Sequence, residues 1–101
     1  MEVLKITKEN FEAEVLRSPM PVLIDFYADW CGPCKMMSPI VDSIAEERED
    51  VRVGKVNVDE QPELAQAFGV MSIPTLVVMK EGKVSSRVVG LRDKATLIGM
   101  L

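Results

Sequence analysis

Residues 21–35, P-V-L-I-D-F-Y-A-D-W-C-G-P-C-K, decide the fold. They open with a nearly unbroken apolar run and close with both cysteines of the chain, Cys31 and Cys34. An apolar run without alternation reads as a central strand covered on both faces. Gly32 lets the backbone turn tightly, and Pro33 suits the first turn of a helix and stiffens the loop. A strand that passes directly into a helix is the unit of an α/β sheet. In open sheets of this kind, sites form past the carboxyl ends of the strands. The two sulfurs are expected at such an end.

Working outward, residues 2–6 alternate like a short first strand. Thr7 is placed to cap a helix from about Glu9 to Arg17, with Phe11, Val15 and Leu16 on one face. Ser18-Pro19-Met20-Pro21 ends it. After the cysteines a helix is expected to about Glu49, with Met37, Ile40, Val41, Ile44 and Ala45 as its apolar stripe and a kink at Pro39. V-R-V-G-K-V-N-V (51–58) carries valine at alternate positions and reads as a strand. A short helix spans about Pro62 to Phe68. Thr75–Lys80 and Lys83–Gly90 are two strands joined by a turn at Glu81-Gly82, hence an antiparallel hairpin. Asp93 starts a last helix with Leu97, Ile98 and Leu101 inward. The order β-α-β-α-β-α-β-β-α implies a mixed sheet, parallel in its first half and closed by the hairpin, with helices on both faces.

The chain has 101 residues, enough for one domain over 1–101 that buries about two-thirds of its unfolded surface. No linker, repeat or low-complexity stretch interrupts it. Its 12 basic residues are scattered among 16 acidic ones, for a net charge of −4. Nucleic-acid binding needs a basic face and is not expected. The apolar runs fall far short of the roughly 18 residues that a membrane-spanning helix needs. The start, M-E-V-L-K-I-T, lacks the apolar core of a secretory signal, so a cytoplasmic location is expected. Disulfides there are rare unless transient and catalytic.

Three kinds of chemistry suit two nearby sulfurs. A structural metal site needs four ligands, and this chain has two cysteines and no histidine. A staple across so short a loop removes little unfolded-state entropy. The third is redox exchange. The thiolate is the nucleophile, and the unpaired N–H groups at a helix N-terminus favour its negative charge. Cys31 is expected at that terminus and Cys34 one turn inside, more buried. Cys31 then attacks a disulfide, and Cys34 resolves the mixed disulfide. The seven methionines do not point to copper: Met36 and Met37 lie within a core segment, where methionine fills gaps.

Asp25 stands inside an apolar strand. It either turns towards solvent or a lysine, or it is a buried acid with a raised pKa that exchanges a proton with Cys34. Trp30 is either core or contact surface, and Pro74 opens a strand.

W-C-G-P-C-K (30–35) resembles the active site of the thioredoxin family, for which C-x-x-C is an established marker. The resemblance extends through D-F-Y-A-D-W-C-G-P-C-K-M-M-S-P (25–39), K-V-N-V-D (55–59), G-V-M-S-I-P-T-L (69–76) and the late V-G (89–90). It implies the thioredoxin fold and a protein-disulfide reductase whose dithiol is its own redox group, with no bound cofactor and no metal. Electrons would come from a thioredoxin reductase, substrates would be disulfide-containing proteins, and the chain would act as a monomer. It implies the proton-exchange role for Asp25, with Lys55 beside it, and a cis bond before Pro74, where the backbone of Ile73 pairs with an extended substrate segment. It places Trp30, Gly32, Pro33, Val70, Met71, Ser72, Ile73, Pro74, Val89, Gly90 and Leu91 in one apolar docking patch. Gly90 would let substrate backbone approach.

The chain departs from the family at Tyr27, where a second tryptophan is usual, and at Leu91, where a small residue is common. Its last helix ends about a turn early. An oxidant or isomerase would use the same sulfurs, though Gly-Pro between the cysteines leans towards the reductant. A docking subunit would use the same patch without the chemistry.

Overall fold

The computed structural model describes residues 2–101; the expected domain begins at Met1, which lies outside the described residues. Strand β1 is shorter than its alternating sequence predicts, only Leu4–Lys5. The expected helix over 9–17 is instead one π-helical turn, Glu12–Leu16, in which the Arg17 N–H donates to the Glu12 carbonyl at 3.0 Å. Thr7 and Asn10 bond reciprocally ahead of it, Thr7 N–H to Asn10 Oδ1 at 2.8 Å and Asn10 N–H to Thr7 Oγ1 at 3.4 Å. Widening the turn seats Val15 in the core and leaves Leu16 40% exposed, against the expectation that it packs inward. Arg52 holds the turn to the sheet, donating to the Glu14 carbonyl at 2.9 Å and pairing with its carboxylate at 3.3 Å.

Strand β2 (Val22–Tyr27) is the apolar run, and all but Tyr27 are buried. It runs into helix α1 (Gly32–Glu47), which begins two residues earlier than expected and continues through Pro39. Met37, Val41, Ile44 and Ala45 form its buried face, whereas Met36 points outward and is not a core residue. Strand β3 (Arg52–Asn57), helix α2 (Pro62–Ala67), strands β4 (Thr75–Lys80) and β5 (Lys83–Val89) and helix α3 (Lys94–Met100) follow. The β4–β5 turn puts Glu81 and Gly82 both at positive φ, 52° and 77°, as a tight hairpin requires. Asp93 caps α3, its Oδ1 accepting from the Thr96 N–H at 2.8 Å.

Among the described residues the five strands form one sheet in the order β1-β3-β2-β4-β5. β1, β3 and β2 are parallel; β4 runs against β2, and β5 against β4. This is the mixed sheet of the thioredoxin fold, with helices on both faces. Period-two alternation divides the core. Leu23, Val53, Leu76 and Val78 pack under α1 and α3, while Val22, Ile24, Phe26, Val56 and Val77 pack under α2 and the π turn. By the same alternation, Asp25 and Lys55 fall on the α1 side.

Gly54 of β3 sits between Leu4 and Ile24 in register. A Cβ there would meet the buried Ile6 side chain, with Cγ1 at 2.7 Å and Cδ1 closer still. Gly54→Ala is therefore expected to destabilise the fold by about 1–3 kcal/mol, as overpacked cores do. Urea titration would show this as a lower midpoint at unchanged slope.

Candidate active site

β2 ends at Tyr27, and the chain turns once before the helix: the Cys31 N–H donates to the Ala28 carbonyl at 3.2 Å. Cys31 is the N-cap of α1 with extended backbone, φ −88° and ψ 113°. Its Sγ accepts from the Cys34 N–H at 3.2 Å, as a capping oxygen would. The first turn of α1 holds no acidic residue, so no neighbouring carboxylate there competes for the positive end of the helix. Cys31 and Cys34 are joined as a disulfide with Cα atoms 5.2 Å apart. Both are buried beside Ala28, Tyr27, Val58 and Ile73, Cys34 the more completely.

Gly32 is the first helical residue; its φ is not positive and a Cβ would meet nothing within 4 Å. The expected tight turn at Gly32 is thus absent, because Cys31 as N-cap already makes the change of direction. Pro33 follows in the first turn, where its missing N–H costs nothing. Both residues are exposed.

Asp25 is 1% exposed, and its Oδ1 has no hydrogen-bond partner. It lies between Lys55 of β3 and Leu76 of β4 in register. Burial pushes its carboxyl up from 3.8 to about 7; the Lys55 charge pulls it down and the Asp42 charge pushes it up. Asp25 is therefore a buried acid, not one turned to solvent. Lys55 is its strand neighbour, as expected, but the Lys55 ammonium pairs with Asp42 at 3.0 Å and bonds Ser38 Oγ. A hollow of about 450 Å³ has Lys55 in its wall, together with Val3, Leu4, Lys5, Tyr27, Asp29, Asn57 and Glu60.

Because β4 runs against β2 with Thr75 opposite Phe26, the loop before β4 arrives at the sulfurs. The Ile73–Pro74 bond is cis, and the Ile73 carbonyl lies 3.8 Å from Cys31 Sγ. Gly90, at φ 94°, donates its N–H to the Pro74 carbonyl at 2.7 Å. That φ favours glycine, and the bond sets Val89 and Leu91, both exposed, next to the same loop.

Trp30 is surface, 70% exposed, and its Nε1 donates to Asp59 Oδ2 at 2.8 Å. Asn57 Oδ1 accepts from the N–H groups of Asp59 and Glu60 at 2.9 and 3.2 Å and so fixes the turn that carries Asp59. A groove of about 430 Å³ is lined by Trp30, Val58, Val70, Met71, Ser72 and Ile73, with Met71 96% exposed. The groove unites the aromatic ring with the loop before β4; Gly32, Pro33, Pro74, Gly90 and Leu91 do not line it.

Sequence reasoning missed four participants: Val58, Asp59, Ser38 and Asp42. Asp59 is the last letter of K-V-N-V-D, and Ser38 and Asp42 are one helical turn apart, a spacing that pairs side chains. Among the described residues, no group of three or more Cys, Asp or Glu side chains is placed to hold a metal ion, and no helix is long and apolar enough to cross a membrane.

The thioredoxin family model matches residues 2–101. The chain is 47% identical over 98 residues to a thioredoxin of Porphyra purpurea, covering 96% of this chain and 92% of that protein. It is 50% identical over 97 residues to thioredoxin 1 of Synechococcus elongatus, covering 95% and 91%. A thioredoxin of Mycobacterium tuberculosis is 49% identical over 96 residues, covering 94% and 83%.

Proposed function

The chain belongs to the thioredoxin family and is a thiol–disulfide oxidoreductase, and from that premise we propose how its residues share the work. The chain acts as one domain over residues 1–101, as a monomer in the cytoplasm, and reduces disulfides of other proteins. A thioredoxin reductase returns its electrons. The redox group is the dithiol, and no cofactor is bound.

In the reduced form Cys31 holds its sulfur as a thiolate at the mouth of α1. The bond from the Cys34 N–H to that sulfur supports this assignment most directly, because an N–H donor stabilises an anion more than a thiol. The Cys31 thiolate attacks one sulfur of a substrate disulfide. A mixed disulfide forms, and the other substrate sulfur leaves with the electron pair and takes a proton. Cys34 then gives its proton to the Asp25 carboxylate and attacks Cys31 Sγ. The second substrate sulfur leaves and is protonated in turn. Two electrons have passed to the substrate, and the protein is left with the Cys31–Cys34 bond found here. Lys55 tunes Asp25.

The groove beside Trp30 and the Ile73–Pro74 loop receive the substrate segment, and Ile73 offers its backbone to it. Gly32, Pro33, Met71, Gly90 and Leu91 complete the surface around it. Exposed apolar surface of this kind marks partner contacts.

Cys34→Ser tests the division of labour. The variant is expected to form the mixed disulfide and stall, so that a disulfide substrate stays covalently attached through Cys31 and is released by added dithiol. Attachment through residue 31 is read by gel shift and peptide mass. A variant that turns over freely, or that attaches nothing, would contradict the assigned order.

A further inference from the structure

Two polar side chains of α1, Ser38 and Asp42, have no part in the exchange described above. Ser38 and Asp42 stand one turn apart on α1 and face β3. Between them they hold the Lys55 ammonium: Asp42 Oδ1 is 3.0 Å from Nζ, and Ser38 Oγ is also bonded to it. Lys55 is directly opposite Asp25 in the parallel β2–β3 register and on the same face of the sheet. Its long stem therefore gives the ammonium a choice between two carboxylates. In this structure it is committed to Asp42, and Asp25 Oδ1 is left buried without a partner.

We propose that Asp42, assisted by Ser38, is a positioning residue of the exchange, which draws the Lys55 ammonium off Asp25 and so keeps that buried carboxyl able to hold and accept a proton. The inference rests on the proton role given to Asp25 above. The alternative geometry shows why the device matters. An ammonium seated on Asp25 would fix it as a carboxylate, and a carboxylate neutralised by a close cation is a poor proton acceptor. Asp42 acts twice in the same direction. It competes for the cation, and its own negative charge disfavours a second charge nearby. The charged groups that act on Asp25 are Lys55 from β3 and Asp42 from α1; β4 sets the apolar Leu76 opposite it, and Cys34 of α1, its proposed proton partner, does not titrate while it is in the disulfide. Lys55 lines the hollow described above and its side chain is 20% exposed, so the cation is not sealed from water if Asp42 is lost.

The test uses the oxidised full chain, in which the cysteines do not titrate and the Asp25 carboxyl is read alone by carbon-13 NMR. Asp42→Asn is expected to lower the Asp25 midpoint by about one pH unit, the size of effect a newly adjacent cation produces. Asp42→Glu keeps the charge and is expected to restore the wild-type midpoint. Ser38→Ala retains Asp42 and should give a smaller downward shift. In a Lys55→Met background, the effect of Asp42→Asn should shrink to less than half. An unchanged midpoint in Asp42→Asn, or equal shifts in Asp42→Asn and Asp42→Glu, would overturn the proposal. Asp25→Asn separates the two levels of inference. If it leaves the resolving rate untouched, the proton role of Asp25 fails. If it slows that rate while Asp42→Asn moves no midpoint, only the positioning role fails.

Discussion

Cys31→Ser is expected to reduce protein-disulfide reduction to the background set by the added dithiol, a loss of roughly a thousand-fold or more, as when an enzyme loses its nucleophile. The loss is chemical rather than structural. Serine is among the best N-cap residues, and its hydroxyl can accept from the Cys34 N–H much as Cys31 Sγ does now. The helix should start at the same place, and thermal stability of the reduced protein should change little. What serine lacks is an ionised nucleophile near neutral pH and the ability to enter a disulfide. Cys34 cannot substitute, because it lies one turn further into α1 and is fully buried. The measurement is the rate at which insulin chains precipitate with dithiothreitol as the electron source. Full dithiol-dependent rate in the variant would end the assignment of Cys31 as the attacking sulfur.

Asp25→Asn is expected to make the protein more stable and slower. Burial raises the folded-state pKa of Asp25 from 3.8 to about 7. Between those two values the folded chain holds a proton that the unfolded chain has released. Stability from this group is therefore complete below about pH 4 and declines as pH rises to about 7, where it levels off. At about 1.4 kcal/mol per pH unit, that interval corresponds to a cost of about 4 kcal/mol at pH 8. Asparagine carries no such charge. The variant should lose the slope between pH 4 and 7 and gain up to about 4 kcal/mol above it. Urea melts of the oxidised form at pH 5 and pH 8 check this, and equal stability differences at both pH values would contradict the buried-acid assignment. On the proposed mechanism the same change removes the proton acceptor, so the resolving step should slow by about a hundred-fold. A gain in stability with a loss in rate is the pattern expected where a functional group is held under unfavourable conditions.

The sequence makes the sulfurs and the frame around them legible because their signals are local. An unbroken apolar strand, Gly-Pro at a helix start and a Glu-Gly turn each act over a few residues, and β2, α1 and the β4–β5 hairpin stand where those signals put them. Asp25 was legible for a related reason: a carboxylate within such a strand is costly unless it is put to use. Less legible features depend on how elements meet. The π turn at Glu12–Leu16 has the same apolar spacing as an α-helix; its wider ring, closed by the Arg17 N–H on the Glu12 carbonyl, and its tie to Arg52 across space leave no mark in that spacing. Leu16 is exposed because the widened turn seats Val15 inward, and Met36 lies about 100° around α1 from the buried Met37. The partner of Lys55 was hidden for a similar reason. Nothing in K-V-N-V-D says that its ammonium is nearer to Asp42 on a helix than to Asp25 on the adjacent strand. Asp59 on Trp30 joins residues far apart in the chain, and no local pattern encodes it.

The pairing of β4 against β2 has a further consequence. Cys31 and Ile73 hang from neighbouring strands of one hydrogen-bonded unit, without a hinge between them. That pairing fixes the spacing of the two strand ends from which the cleft walls extend. On the proposed function, the adjustment falls to the other molecule, whose cystine must come loose from its own framework and arrive as a pliable thread.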